Sequence, residues 1–170
     1  MVQINLLRLR QSRTIALTGS VGQDSEIWAG SGLKFSGAVE VTGTVALTAG
    51  GGVIVQGAWK APLLYECGRC LDELQVAVEQ PLTLVFVPAG EWEGSDPDVR
   101  PIGDHDTLLD LEDAIREEIL LEAPRYYTAA EESGRCVRCG DPTDRFRSGP
   151  AEADGEVDPR WSALRALRTD

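Results

Sequence analysis

The sequence predicts an α+β protein: an antiparallel β meander or partial barrel with one packed helix and a C-terminal segment built around a cysteine pair. Three observations predict it. Apolar residues recur at every second position through much of residues 33–87, the period of a half-buried strand. Glycines and a first cysteine pair punctuate that run where strands must turn. Further on, Leu111, Ala114, Ile115 and Ile119 recur at helical spacing. A chain of 170 residues can build one core that buries about two-thirds of its surface. We read residues 1–147 as a single β-rich domain carrying one main helix and the paired cysteine turns. Residues 148–170 read as a linker and a short C-terminal helix.

The elements follow in order. Residues 4–10 mostly alternate apolar and polar side chains, which predicts a strand with Arg8 and Arg10 on its outer face. Residues 14–18 predict a second short strand, and the Gly- and Ser-rich residues 19–32 a loop. Val39, Val41 and Val45 keep even spacing, and Gly50-Gly51-Gly52 supplies a turn tolerant of positive φ. The β pattern resumes over residues 53–65 and again over 74–87, where Pro81 predicts a bulge or an edge because it lacks an N–H. Residues 88–106 are acidic and rich in Gly and Pro and predict a mobile excursion. Asp110 predicts the N-cap of the main helix, with Glu112 and Asp113 in its first turn and Pro124 as its stop. In the tail, Asp158-Pro159 predicts the start of a helix with Trp161, Leu164 and Leu167 on one face.

The net charge is −12 and unevenly placed. Residues 1–60 hold five basic and three acidic residues, a net +2, which leaves −14 for the rest. Such a surface repels phosphate backbones and disfavours extensive contact with nucleic acid. No apolar run approaches the ~18 residues of a membrane span, and the N-terminus lacks the layout of a signal peptide. The expectation is a cytoplasmic protein without a membrane partner.

All four cysteines fall in two Cys-x-x-Cys turns, Cys67-Gly68-Arg69-Cys70 and Cys136-Val137-Arg138-Cys139, the latter followed by Gly140. Three readings compete. In the first, each turn gives two thiolates from one tight backbone corner, and the four donors complete a tetrahedral structural Zn(II) site. The C-terminal segment is then zinc-knuckle-like, and Arg69, Arg135 and Arg138 offset the surplus thiolate charge. In the second, one pair does redox chemistry, which calls for a pair that begins a helix. In the third, the cysteines are plain thiols. Reduced paired cysteines in a cytoplasmic protein more often hold metal or do redox work than form disulfides, and the zinc reading leads because neither pair is followed by an amphipathic helix and the fold reads as antiparallel.

No catalytic constellation stands out, and no enzymatic activity is expected. His105 is the only histidine and lies in the acidic segment, where a solvated role suits it. Gly50-Gly51-Gly52 is no phosphate loop, since no Gly-Lys-Ser/Thr follows. The acidic residues between Glu91 and Glu122 could ligate a metal, but a solvated surface is the preferred reading. Arg8, Arg10 and Arg13 could join Arg135, Arg138, Arg145 and Arg147 in an RNA-binding face with stacking aromatics. The competing reading pairs these arginines with the abundant carboxylates.

Several features in one order carry a resemblance. Tyr65-Glu66-Cys67-Gly68-Arg69-Cys70-Leu71 closes a strand. Leu109-Asp110-Leu111 opens a helix that runs to Leu120-Leu121-Glu122-Ala123-Pro124. Cys136-Val137-Arg138-Cys139-Gly140 and Asp158-Pro159-Arg160-Trp161-Ser162-Ala163-Leu164 follow. Over most of its length the chain resembles the YceD family, the large ribosomal RNA subunit accumulation proteins. That resemblance implies a role in accumulation of large-subunit ribosomal RNA, hence in ribosome biogenesis, and implies no known catalysis. Cys67, Cys70, Cys136 and Cys139 correspond to the family's cysteine positions. Many relatives are richer in cysteine around the second pair, where this chain has Asp141-Pro142.

The leading expectation is a non-enzymatic biogenesis factor that binds a ribosomal protein or an assembly factor. Precursor ribosomal RNA is a further candidate partner, through Arg69, Arg135 and Arg138. The alternative is a zinc-stapled interaction module unrelated to ribosomes. A nuclease using the acidic segment stands third.

Overall fold

In the computed structural model of the protein, residues 2–146 are described except positions 93, 95, 97 and 104, with the backbone alone at 145 and 146. The chain divides into two compact units, Met1–Thr128 and Ala129–Asp170. The helix expected around Trp161 lies outside the described residues.

The first unit opens with a departure from the expected strand. Only Gln3–Asn5 is extended (β1), and Leu6–Ser12 is helical (α1). Leu6 and Leu9 lie three apart and are both buried, the helical spacing, although Ile4 with Leu6 and Leu7 with Leu9 also keep the strand spacing. Asn5 decides between them. Its side-chain oxygen accepts the Arg8 N–H at 2.9 Å, an N-cap that satisfies one of the otherwise orphaned donors of the first turn. Arg8 and Arg10 are solvent-exposed on this helix.

Thr14–Val21 (β2), Val39–Leu47 (β3), Val53–Glu66 (β4) and Glu73–Pro88 (β5) form the expected antiparallel run. The first cysteine pair lies between β4 and β5, as the sequence predicts. Even-numbered residues of β5 face the core, with Val78, Leu82, Leu84 and Phe86 buried, while odd-numbered residues from Glu73 to Thr83 are exposed. Trp59, Val55, Leu63, Val41 and Val45 supply the centre of the same core.

The segment after Pro88 is a second correction. Val99–Ile102 (β6) pairs in parallel with residues 85–88 of β5, so part of the expected excursion belongs to the sheet. Burial of Ile102 and the Arg100–Glu117 contact at 2.6 Å hold it there, against the acidic composition. The sheet is therefore mixed, in the order β2-β3-β4-β5-β6. Among the described residues β2 and β6 do not pair, so the sheet stays open and forms no barrel.

Leu108–Asp110 (β7) pairs antiparallel with β1 and leads into Glu112–Glu122 (α2). Leu111, Ala114, Ile115 and Ile119 are all buried, as the stripe predicts. Asp110 lies just outside the helix, yet its carboxylate accepts the Glu112 N–H at 2.9 Å and the Gln3 side-chain amide at 3.0 Å. The Gln3 bond first, and the Glu112 bond second, hold the Asp110 carboxyl below its usual range. Arg116 fastens the helix to the loop after β2 through the Ile27 and Ala29 carbonyls.

Glu118 behaves oppositely. Burial pushes its carboxyl up, with Glu122 next in effect and Arg100 opposing. The folded chain therefore binds this proton more tightly than the unfolded chain. Its contribution is favourable below the ordinary value of 4.5 and is lost as pH rises through the raised value. Glu118→Gln should raise the unfolding free energy at pH 7, read from the urea midpoint at constant slope, by about 0.2–0.5 kcal/mol, the scale of an i,i+4 like-charge repulsion. Repeating the titration below pH 4.5 should erase the gain.

The second unit is described through residue 146. It contains a hairpin of Glu131–Glu132 (β8) and Arg135–Cys136 (β9), followed by a 3-10 turn at Thr143–Phe146. Ser133 and Gly134 make the hairpin corner with φ of 51° and 73°. Among its described residues only Ala129, Cys136 and Thr143 are buried. No helix among the described residues is long and apolar enough to cross a membrane.

Candidate metal centre

The first cysteine turn is the corner of the β4–β5 hairpin. The Cys67 N–H donates to the Asp72 carbonyl at 2.8 Å, and the Leu71 N–H donates back to the Cys67 carbonyl at 2.9 Å. Leu71 closes the turn at φ 63°, a conformation that is an outlier for a bulky residue. The turn is anchored from the far end of the unit, where the Tyr127 carbonyl accepts the Gly68 N–H at 2.7 Å. The Tyr65 and Tyr127 rings pack with centroids 5.1 Å apart. Burial, and then Tyr127, raise the Tyr65 hydroxyl above its ordinary value. Cys67 is fully buried and Cys70 half-buried, with their sulfurs within 4.8 Å of one another.

The second turn repeats this backbone pattern within the other unit. The Cys136 N–H donates to the Asp141 carbonyl at 3.0 Å, and the Gly140 N–H donates to the Cys136 carbonyl at 2.8 Å. Gly140 occupies the position of Leu71, with φ 76°. The Asp141 N–H points at the Cys139 sulfur, 3.5 Å away. Arg135 extends its guanidinium to the Gly140 carbonyl at 2.8 Å, and Thr143 ties its backbone N–H and its hydroxyl to the Gly134 carbonyl. Cys136 is buried and Cys139 half-buried.

Each turn thus presents one buried and one half-buried sulfur from a corner closed by the same pair of backbone bonds. The donor set and the corner geometry fit a soft dication such as Zn(II). None of the four cysteines is in a disulfide. The redox reading loses its context, because the first turn runs into a strand and the second into a 3-10 turn. Neither pair has the helix N-terminus that would depress a thiol for exchange chemistry.

The three arginines are placed differently. Arg69 is half-buried on the first turn, Arg135 braces the second turn, and Arg138 is exposed on it. Arg145 has no described side chain, and Arg147 lies outside the described residues. His105 is exposed, as expected of a solvated residue. The sequence reading missed Tyr127, which no local pattern connects to Cys67 from sixty residues away. It also missed the left-handed Leu71, although the shared spacing of Leu71 and Gly140 after their cysteine pairs is visible in the sequence. Beside the first turn a cleft of about 380 Å³ is lined by Lys34, Tyr65, Leu71, Arg125 and Tyr126, among others.

The profile of the large ribosomal RNA subunit accumulation protein YceD matches residues 55–168, a stretch that begins within β4 and includes both cysteine turns. Curated relatives include an uncharacterized protein of Mycobacterium bovis and two of Mycobacterium tuberculosis, from strains CDC 1551 and H37Rv. Each is 31% identical over 115 residues, covering 66% of this chain and 54% of the relative. The chain therefore spans about half the length of the curated relatives it matches. No solved structure matches it. With two-thirds of its length inside the profile, the chain belongs to the YceD family of large ribosomal RNA subunit accumulation proteins.

Proposed function

We propose that this protein is a non-enzymatic, cytoplasmic ribosome biogenesis factor. It supports accumulation or processing of large-subunit ribosomal RNA by binding a ribosomal protein or an assembly factor. The observation that carries this reading is the family match across both cysteine turns. Cys67, Cys70, Cys136 and Cys139 together hold one structural Zn(II), which supplies fixed tetrahedral geometry and no chemistry of its own. The matched backbone corners support this: each offers two thiolates, and a closed zinc site requires four.

The charge of −12 favours a basic protein partner over naked RNA. Direct contact with precursor RNA is the second reading, through Arg69, Arg135 and Arg138. The cleft beside the first turn offers Lys34 and Arg125 for phosphate and Tyr65 and Tyr126 for stacking, while Glu66 and Glu73 line the same cleft and oppose phosphate, which keeps this reading second.

Depletion of the protein in its host tests the proposal. Large-subunit RNA and large particles should fall relative to their small-subunit counterparts. Unchanged particle profiles, with affinity purification that returns no ribosomal or RNA-processing protein, would favour an interaction module outside ribosome assembly.

A further inference from the structure

The five-stranded sheet ends in two edges that differ in charge. β6 covers β5 only at residues 85–88. Among the described residues, positions 73–84 make no backbone bond except the ladder to β4. The register shows which groups of this edge face outward. The Pro62 carbonyl accepts the Ser36 N–H at 2.9 Å, and the Leu64 N–H donates to the Lys34 carbonyl at 2.8 Å. These β4 residues therefore turn their backbone groups away from β5. Their partners across the ladder are Ala77 and Gln75. In an antiparallel pair, opposed residues that do not bond each other direct their N–H and C=O groups outward on both strands. The odd-numbered residues from 73 to 83 accordingly point their backbone groups away from β4, and Pro81 fits that phase because it has no N–H to place in the ladder.

Proteins commonly blunt such edges with charged side chains, lysine above all, with proline, bulges or very short strands, and Pro81 leaves one outward position of β5 without an N–H. β5 contains neither Lys nor Arg, and its exposed charges are Glu73 and Glu79. Glu66 and Asp72 add negative charge at the hairpin end. Glu79 also faces Lys60 at 3.9 Å, an exposed pair of little strength. The opposite edge, β2, holds no charged residue and directly follows Arg8, Arg10 and Arg13.

We infer that residues 73–84 of β5 form a docking edge for an extended, lysine- and arginine-rich segment of a partner protein, which adds to the sheet as a further strand. Main-chain bonds to the outward groups give affinity, and cationic side chains opposite Glu73 and Glu79 give selectivity. RNA is disfavoured here, because a phosphate backbone would meet two carboxylates and no cation on the strand. The surface rests on the binding-factor reading and names the class of partner; a chain whose depletion lowers large-subunit RNA but whose β5 ignores such a segment overturns this surface alone.

The probe is a synthetic 12-residue peptide alternating Lys and Val, titrated into the full chain purified with its metal. Amide exchange at Gln75, Ala77, Glu79 and Thr83 should slow on binding. Ala77→Pro removes one outward N–H and leaves the β4 ladder intact, so it should weaken the peptide on the order of tenfold. Ala16→Pro on β2 should leave affinity unchanged, and Glu73→Lys with Glu79→Lys should weaken it without altering the fold. Equal affinity for Ala77→Pro and the parent, unchanged exchange along β5, or tighter binding of a 12-nucleotide oligouridine than of the peptide would overturn the inference.

Discussion

Cys136→Ser should abolish zinc retention and open the second unit to protease while leaving the β sheet folded. The expectation rests on how little else orders residues 129–146. Their described part buries only Ala129, Cys136 and Thr143, too little apolar surface to offset the entropy of ordering the segment. Backbone bonds also close the turn, and serine keeps the two made by the main chain of Cys136, so what the substitution removes is the sulfur alone. Structural zinc contributes on the order of 10–16 kcal/mol of apparent binding energy in small metal-ordered domains. Losing one of four thiolates should forfeit much of it. Trypsin should then cut after Arg135 and Arg138 far faster than in the parent, and the first unit should keep its far-UV circular dichroism. Chelation of the parent should reproduce the cleavage pattern. Equal cleavage rates for parent and variant would show that the second unit is ordered without metal.

Trp59→Ala should be the most destabilising single change in the first unit, at about 3–5 kcal/mol. Trp59 is fully buried in β4, opposite Val41 on one side and Gln80 on the other. Truncation there removes a large apolar surface and leaves a cavity between strands paired on both sides, which leaves little room for collapse. Domains of this size commonly hold about 5–15 kcal/mol in total, so the loss takes a large share. Trp59→Phe should cost distinctly less. The indole N–H is buried without a hydrogen-bond partner among the described residues, so phenylalanine surrenders apolar area but no polar contact. Urea midpoints at constant slope measure both. Equal losses for Ala and Phe would mean that the indole nitrogen has a partner, such as a buried water.

The parts of the fold that the sequence announces are those with one dominant period. The strands from Val39 to Phe86 alternate cleanly, and Leu111, Ala114, Ile115 and Ile119 form a single helical stripe. The parts it misreads are those where two periods coexist or where composition outweighs pattern. Ile4 with Leu6, and Leu7 with Leu9, keep the strand spacing, while Leu6 with Leu9 keeps the helical one, and a single cap at Asn5 settles the matter. Residues 99–102 sit in an acidic stretch, and only the pairing with β5 shows that Val99 and Ile102 belong to the sheet.

The cysteine turns divide in the same way. Their spacing announces four candidate thiolates, and the residues at Leu71 and Gly140 complete the pattern. What closes each corner is less accessible. Tyr127 reaches the first turn through the tertiary fold, and Arg135 reaches the Gly140 carbonyl from a position that composition alone assigns to a free cation.

The proposed zinc site requires the two matched corners to share one metal. X-ray absorption at the zinc edge, on full-length protein purified without chelator, tests it most directly. About one zinc per chain is expected, bound by four sulfurs at about 2.3 Å and by no nitrogen or oxygen. A chain without metal, or zinc bound by only two sulfurs, would contradict it.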